Sequence, residues 1–231
     1  MLDGRPLARI RTFHPRRGRL SDANRDALAR LWPRHGLDID PAATEPLDPG
    51  ALFGRQAPLV LEIGSGMGEA TATMAAADPG RDYLAVEVHT PGIGNLLRMV
   101  DAENLTNVRV ACGDALELLR HQIAPASLDA VHIYFPDPWP KARHHKRRLV
   151  QNAHLPLLAS RLRHGGVLHM ATDWAEYAGA ALAALSATDG LRNDHDGFAP
   201  RPAHRPLTKF ERRGVTAGRD IFDLVFRRAC R

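Results

Sequence analysis

The chain has little cysteine. Its two copies, Cys112 and Cys230, exclude a disulfide framework and have no metal-ligand spacing. So few cysteines are typical of a protein from a reducing compartment, and we expect a cytoplasmic location.

Long apolar runs are also missing. The longest nearly apolar stretch, AGAALAALSA at residues 178–187, is far shorter than the roughly 20 residues that cross a bilayer. The N-terminal residues include scattered arginines but no apolar core of a secretory signal. We therefore expect a soluble protein with no membrane partner.

Aromatic residues make up only 6% of the chain, whereas basic residues are in excess. The formal net charge of +5 and the pI near 9.7 favour an acidic partner such as nucleic acid. A merely basic soluble protein has similar totals, so the distribution is more informative. Arginines crowd the first twenty residues: Arg5, Arg9, Arg11, Arg16, Arg17 and Arg19.

Composition divides the chain into two parts. Residues 1–56 predict a basic N-terminal arm with one helix, capped by Ser21 and ended by Pro33, and a linker over 38–54. Residues 57–231 alternate short apolar runs with helical stretches, which predicts parallel strands joined by crossovers. We predict an α/β fold with a doubly wound, mostly parallel, seven-stranded sheet.

Two elements near the end of the chain are predicted from pattern. A long amphipathic helix is expected from about Lys146 to Leu162. The segments PLTKFERRG (206–214) and DIFDLVFRR (220–228) lie close together and predict a C-terminal antiparallel hairpin.

Candidate ligand-binding residues follow the predicted strands, where ligands bind in such sheets. Gly64, Gly66 and Gly68 lie between the first of these strands and a helix, in a spacing that differs from the dinucleotide fingerprint. Glu87 ends the next strand and is suited to accept hydrogen bonds from a ribose diol. Together they favour an adenosyl ligand.

Two further carboxylates belong to this half. Asp114 follows the third strand, where capping of the next helix is favoured over contact with an adenine edge. Glu62 lies inside an apolar strand, so either a ligand or a buried hydrogen-bond network must satisfy it.

The most informative segment is FPDPWPKARHHKRR at residues 135–148. Asp137 lies between prolines at a strand end, beside Trp139, which is costly in a loop unless it packs or stacks. A tight turn alone also explains Pro-Asp-Pro-Trp. The basic strip that follows predicts phosphate contacts, and its members are Lys141, Arg143, His144, His145, Lys146, Arg147 and Arg148. We expect no metal at the two histidines, because no carboxylate or thiol lies at ligand spacing, and we expect no metal elsewhere in the protein.

Two later segments also follow strands. Asp173 comes directly after the predicted fifth strand, where capping of the next helix is a fair alternative to a ligand role. Thr208, Lys209, Phe210 and Glu211 are informative only by position, since an ordinary strand alternates in the same way.

Five segments in this order resemble the bacterial tRNA (guanine-N7)-methyltransferases of the TrmB type: LEIGSGMG, AVEVHTPGIG, FPDPWPKARHHKRR, ATDW and PLTKFERRG. The resemblance covers roughly residues 10–230 and implies a Rossmann-like class I methyltransferase that uses S-adenosylmethionine to methylate guanine 46 in the variable loop of tRNA. It implies cofactor contacts for Glu62, Glu87, Asp114 and Asp137, beside the glycines Gly64 and Gly66. It also implies substrate contacts for Lys141, Asp173 and Thr208 to Glu211, RNA contacts for 143–148, and a monomer or homodimer.

The resemblance gives Asp137 the catalytic position. Guanine N7 already carries a lone pair, so we expect Asp137 to position base and donor rather than remove a proton. Glu211 or Asp173 is suited to accept hydrogen bonds from the N1 and N2 edge of guanine.

Three other functions stay open from the residues alone. An amino-methyltransferase acting on adenine N6 or cytosine N4 has a similar Asp-Pro motif, but the basic strip favours a tRNA enzyme. A nicotinamide-dependent oxidoreductase is disfavoured by the glycine spacing. A noncatalytic RNA-binding protein is disfavoured by the carboxylates at the strand ends.

Overall fold

The computed structural model describes residues 11–13, 18–216 and 218–230, without the side chains of Lys209, Phe210 and Arg213. The predicted arginine-rich arm therefore lies largely outside the described residues, which include Arg11 and Arg19 but not Arg5, Arg9, Arg16 or Arg17.

The described residues form one sheet of eight strands. The strands are β1 Gly36–Asp38, β2 Leu59–Ile63, β3 Asp82–Glu87, β4 Val108–Cys112, β5 Leu128–Tyr134, β6 Leu162–Thr172, β7 Leu191–Asn193 and β8 Phe222–Arg228. Their order is β1-β4-β3-β2-β5-β6-β8-β7, with β8 antiparallel to β6 and to β7 and the other pairs parallel. The predicted fold class is confirmed, with one strand more than the seven expected.

Helices cover both faces of the sheet, as crossover connections require. They are α1 Asp22–His35, α2 Pro49–Phe53, α3 Glu69–Ala77, α4 Thr90–Ala102, α5 Ala115–His121, α6 Leu155–Arg161, α7 Ala175–Ser186 and α8 Lys209–Thr216. One apolar core lies between the sheet and α5, α6 and α7, and a second lies between the sheet and α1, α3 and α4. Strands such as β2 and β3 are buried along their whole length, which explains their unbroken apolar runs.

The additional strand, β1, lies between the predicted first helix and the predicted linker, and it shares only Asp38 with that linker. Gly36 pairs with Val110 and Asp38 with Cys112, so β1 extends the sheet beyond β4. The division of the chain at residue 56 stays a prediction, but residues on its N-terminal side contribute a strand to the main sheet.

Helix α1 starts where expected but ends later. The Ser21 hydroxyl accepts a hydrogen bond from the Asn24 N–H and caps it, as predicted. The helix does not end at Pro33 but continues to His35, whose ring contacts the Val108 carbonyl oxygen at 3.1 Å. Pro33 lies in the last turn, where the missing N–H removes only one helical bond.

Two predictions for later segments are wrong. The long helix from Lys146 to Leu162 is replaced by a short 3-10 helix, Ala142–Arg147, an irregular stretch and α6, while Leu162 already belongs to β6. The segment 206–214 is not a strand of a hairpin, because α8 occupies most of it. The strand that pairs with β8 on its outer side is β7, so a C-terminal antiparallel hairpin exists with a different partner.

Candidate active site

The glycine loop lies between β2 and α3, as the sequence predicts. Gly64 and Gly66 have φ angles of +79° and +59°, which favour glycine. A Cβ atom built on either residue meets no atom within 4 Å, so the backbone there faces open space. This part of the loop has room for a ligand against bare main chain. Gly68 completes the loop before α3.

Glu87 at the end of β3 fixes this loop. One carboxylate oxygen, Oε2, accepts a hydrogen bond of 2.7 Å from the Gly66 N–H. The other, Oε1, accepts from Val88 N–H at 2.7 Å and His89 N–H at 2.8 Å. A carboxylate can accept about four hydrogen bonds, and three are already made. One lone pair therefore remains for a ligand, whereas the sequence predicted two hydrogen bonds to a ribose diol.

Glu62 is satisfied by a buried network, one of the two alternatives that its position in β2 leaves open. The hydroxyl of Thr71 on α3 donates a hydrogen bond to its Oε2. Burial raises the pKa of Glu62 to about 7, the Thr71 hydroxyl opposes this shift, and the nearby charge of Glu87 adds to it. The residue therefore titrates near neutral pH.

Asp114 caps α5, the alternative that the sequence favours. Its Oδ1 accepts a hydrogen bond of 2.9 Å from the Leu116 N–H. The residue lies just after β4, at the same carboxyl edge of the sheet as the glycine loop and Glu87.

Asp137 lies in a segment with an unusual backbone. Phe135 and Trp139, on either side of it, have φ angles of +51° and +47°, values that cost a bulky residue roughly 1–3 kcal/mol each. The segment is held by hydrogen bonds from Phe135 N–H to the Ala171 carbonyl and from the Arg148 Nε to the Pro138 carbonyl. The half-buried Asp137 is thus fixed at the end of β5 by contacts on both sides.

Trp139 packs inside the protein. Only 6% of it is exposed, and the guanidinium of Arg147 lies 3.8 Å from the centre of its ring. The described N-terminal residues reach this place, because Arg147 donates hydrogen bonds to the carbonyls of Arg11 and Phe13. Trp139 is therefore buried by packing, so the loop does not expose a large aromatic side chain to water.

The basic strip is not uniform. Lys141, Arg143 and Lys146 are exposed, while His144, His145 and Arg147 are half-buried. Residues Ala142–Arg147 of the strip form the short 3-10 helix.

Arg148 differs from the rest of the strip. It is buried, donates hydrogen bonds to both carboxylate oxygens of Glu176, and lies over the ring of Tyr177 at 4.6 Å. These contacts make it a packing residue of the loop and leave the exposed cations as the groups that face solvent.

Asp173 does not cap α7. Its Oδ2 lies 2.6 Å from Nη1 of Arg219, while the N–H of Trp174 is bound by the Thr172 hydroxyl. The alternative of simple capping is therefore wrong for Asp173.

The TKFE segment forms the start of α8. The Thr208 hydroxyl accepts a hydrogen bond from the Glu211 N–H. The carboxylate of Glu211 is buried and accepts hydrogen bonds of 2.6 and 3.0 Å from Arg205. The predictions for Lys209 and Phe210 concern side chains outside those described.

The structure also contains a cluster of three histidines that the sequence alone does not predict. His132 of β5, His169 of β6 and His204 meet beside Tyr134. Alternating polar residues in the buried strand β5 were the available signal, but the other two histidines lie far away in sequence.

Within the described ranges, no helix is long and apolar enough to cross a membrane.

Comparison with known proteins agrees with this geometry. Residues 56–224 match a protein family described as "Putative methyltransferase". A tRNA (guanine-N(7)-)-methyltransferase of Streptomyces avermitilis is 56% identical over 95% of this chain and 76% of its own length. One of Nitrosospira multiformis is 51% identical over 99% of this chain and 98% of its own.

A solved structure shares the fold. The 16S rRNA methyltransferase KamB superposes with a TM-score of 0.55 at 14% identity, over 78% of this chain and 92% of that one. The resemblance seen in the sequence motifs is confirmed by the close relatives. The chain belongs to the methyltransferase family that includes these tRNA (guanine-N(7)-)-methyltransferases.

Proposed function

We propose that this protein transfers a methyl group from S-adenosylmethionine to N7 of guanine 46 in the variable loop of tRNA. The observation that carries the proposal is the identity of 51% across 99% of this chain and 98% of the Nitrosospira multiformis relative. This match covers nearly all of both sequences and not only the shared fold. A tRNA substrate also implies a cytoplasmic location.

The carboxyl edge of the sheet fits the cofactor. Open space beside Gly64 and Gly66 leaves room for a ligand against the main chain, and Glu87 keeps one lone-pair position for a ribose hydroxyl. Glu62 and Asp114 border the same edge. When bound, S-adenosylmethionine supplies a methyl group on a positively charged sulfur. The protein's own part is to hold that donor in one orientation.

Asp137 acts by position and charge. N7 of guanine needs no base, since its lone pair is available, but the purine gains positive charge as the methyl group arrives. A carboxylate fixed at the end of β5 stabilises that charge and aligns the base. The two positive φ angles around Asp137 support this role, because backbone strain is concentrated at functional sites.

Asp173 is the better candidate for reading the guanine edge. Its side chain keeps 22% of its surface exposed, whereas Glu211 is buried with both oxygens on Arg205. Glu211 then supports α8, which begins at Lys209. We assign further substrate contacts to Thr208, Lys209 and Phe210 and to the exposed Lys141.

The tRNA backbone meets the exposed part of the strip. Lys141, Arg143 and Lys146 face solvent and are suited to phosphate contacts, with His144, His145 and Arg147 beside them. Arg148 contributes through the shape of the loop, since Glu176 and Tyr177 already occupy its guanidinium.

The direct test uses an unmodified tRNA transcript and labelled S-adenosylmethionine, followed by borohydride and aniline treatment. Strand cleavage at guanine 46 is expected, and a transcript with adenine at that position serves as the matched control. Labelled RNA without cleavage would reject the N7 assignment, and equal labelling of both transcripts would reject position 46.

The same assay in single turnover tests Asp137. Asp137→Ala should lower the rate by about 10²- to 10³-fold, the usual loss for a group that stabilises transition-state charge. Asp137→Asn keeps the shape and one acceptor, so it should retain more activity than Asp137→Ala. If both variants lost activity equally while binding tRNA normally, the charge of Asp137 and not its shape would carry the effect. A steep rise of the single-turnover rate with pH near neutrality would instead indicate proton removal and overturn the positioning role.

A further inference from the structure

Three histidines lie together on one face of the sheet. Elsewhere on the same face, α1, α3 and α4 pack against the sheet. His132 of β5 and His169 of β6 are direct partners in the strand register, so their side chains lie next to each other on this face. His204 stands over both, with its ring centre 5.5 Å from each of theirs. One ring nitrogen from each histidine lies within 4.8 Å of the other two.

The cluster contains an unsatisfied nitrogen. His132 is 4% exposed, and its Nδ1 has no hydrogen-bond partner among the residues that the structure describes. Buried polar atoms nearly always have a partner, so an atom without one indicates a missing ion or water. This observation points to a ligand independently of the clustering.

Asp223 of β8 orients His169 in the way that metal sites use. Its Oδ1 lies 2.7 Å from Nε2 of His169, which places the ring proton on that nitrogen. Nδ1 therefore carries the lone pair and accepts a hydrogen bond of 3.2 Å from the Tyr134 hydroxyl, which a bound metal ion would displace. A carboxylate on the far nitrogen is the usual second partner of a histidine that binds a metal.

We propose that His132, His169 and His204 bind a transition-metal ion such as Zn²⁺ or Co²⁺. Three imidazole nitrogens with one open position are a common zinc ligand set. Metal–nitrogen bonds of about 2.0–2.1 Å require the nitrogens to approach to about 3.3 Å. His204 is exposed, so its side chain can make most of that movement and leave the fourth position to water.

The surrounding charges permit a cation. Arg205 is adjacent to His204 and buried, but it is paired with the carboxylates of Glu211 and Asp223. Arg201 also pairs with Glu211, so these four groups cancel. Binding would tie the segment that carries His204 to β5 and β6, next to α8.

The test uses full-length protein without an affinity tag, first treated with a chelator and then titrated with Co²⁺. A tetrahedral or five-coordinate site gives strong visible absorption, and we expect it with the parent protein. His204→Ala should lower the affinity at least about tenfold, because loss of a residue that only hydrogen-bonds to a metal ligand already costs about 10- to 100-fold. His195→Ala, which removes an exposed histidine that does not belong to the cluster, is the matched control and should bind as the parent does.

Thermal unfolding with Zn²⁺ provides a second readout that does not depend on colour. The metal should raise the Tm of the parent and of His195→Ala but not that of His204→Ala. His132→Gln should also lose the shift. Co²⁺ absorption no stronger than that of the free aqueous ion, or equal binding by the His204→Ala and His195→Ala proteins, would overturn the proposal.

Discussion

Two buried carboxylates on either side of the candidate site are held in different ways. Glu87, on the cofactor side, accepts hydrogen bonds from the main-chain N–H groups of Gly66, Val88 and His89. Glu211, on the α8 side, accepts hydrogen bonds from the guanidinium of Arg205. The first carboxylate depends on backbone that the strand and loop already fix, and the second depends on one long side chain.

The difference has consequences for each region. A main-chain cradle persists as long as β3 and the glycine loop persist, whatever the neighbouring side chains are. The α8 region depends on Arg205, which is fully buried and also bound to Asp223. Although burial alone would raise it, contacts with His169 and Arg205 hold the pKa of Asp223 below its ordinary value.

The largest effect is therefore expected from Arg205→Ala. The change leaves Glu211 and Asp223 buried without their cation, and breaking such a pair costs about 3–5 kcal/mol of unfolding free energy. Urea denaturation measures it.

Arg192→Ala is the control, because it removes an arginine from the exposed pair with Asp194 and should cost less than about 1 kcal/mol. Adding Glu211→Gln to the Arg205→Ala protein should restore part of the loss. Equal costs for Arg205→Ala and Arg192→Ala would show that α8 does not depend on this network.

The same contrast separates what the sequence predicts from what it does not. Capping by Ser21 and Asp114, the glycine loop and the strands β2 to β6 follow from local signals: a hydroxyl or carboxylate before a helix, or an apolar run of strand length. Each signal and its structural partner lie within a few residues of each other, so a single sequence contains both.

One failure is local and the others concern distant partners. The segment of α8 alternates as a strand does, but it forms a helix whose buried Glu211 is bound by Arg205, six residues before it. Arg148 resembles its exposed neighbours in sequence, and only Glu176 and Tyr177 show that it is buried. His132 and His169 are 37 positions apart in the printed numbering and meet through strand register.

A second, smaller effect concerns pH on the cofactor side. Burial raises the pKa of Glu62 to about 7 from its ordinary value of 4.5, so the folded state binds this proton more strongly than the unfolded state does. The free energy of unfolding therefore falls as pH rises from about 4.5 to about 7, and the loss is complete above that range.

Glu62→Gln removes this titration but keeps an acceptor for the Thr71 hydroxyl. Its stability relative to the parent should improve by up to about 3 kcal/mol between pH 4.5 and pH 7.5. Thr71→Val removes the hydroxyl that opposes the shift, so the same loss in that variant should extend to higher pH. A constant difference between Glu62→Gln and the parent at all pH values would show that folding does not shift the pKa of Glu62.

The smallest effect separates Lys146 from Arg148, two cations of the basic strip. Lys146 is exposed, and Lys146→Ala should remove one phosphate contact. The slope of log affinity against log salt should then become shallower by about 0.7–0.9, with little change in stability. Filter binding of tRNA between low and moderate salt measures this slope. Arg34→Ala, which removes an equal charge from the exposed last turn of α1, is the matched control and should leave the slope unchanged.

Arg148→Ala should leave the salt slope unchanged and lower the unfolding free energy, because Glu176 and Tyr177 lose their buried partner. If Lys146→Ala and Arg34→Ala gave the same slope, Lys146 would not contact the RNA backbone.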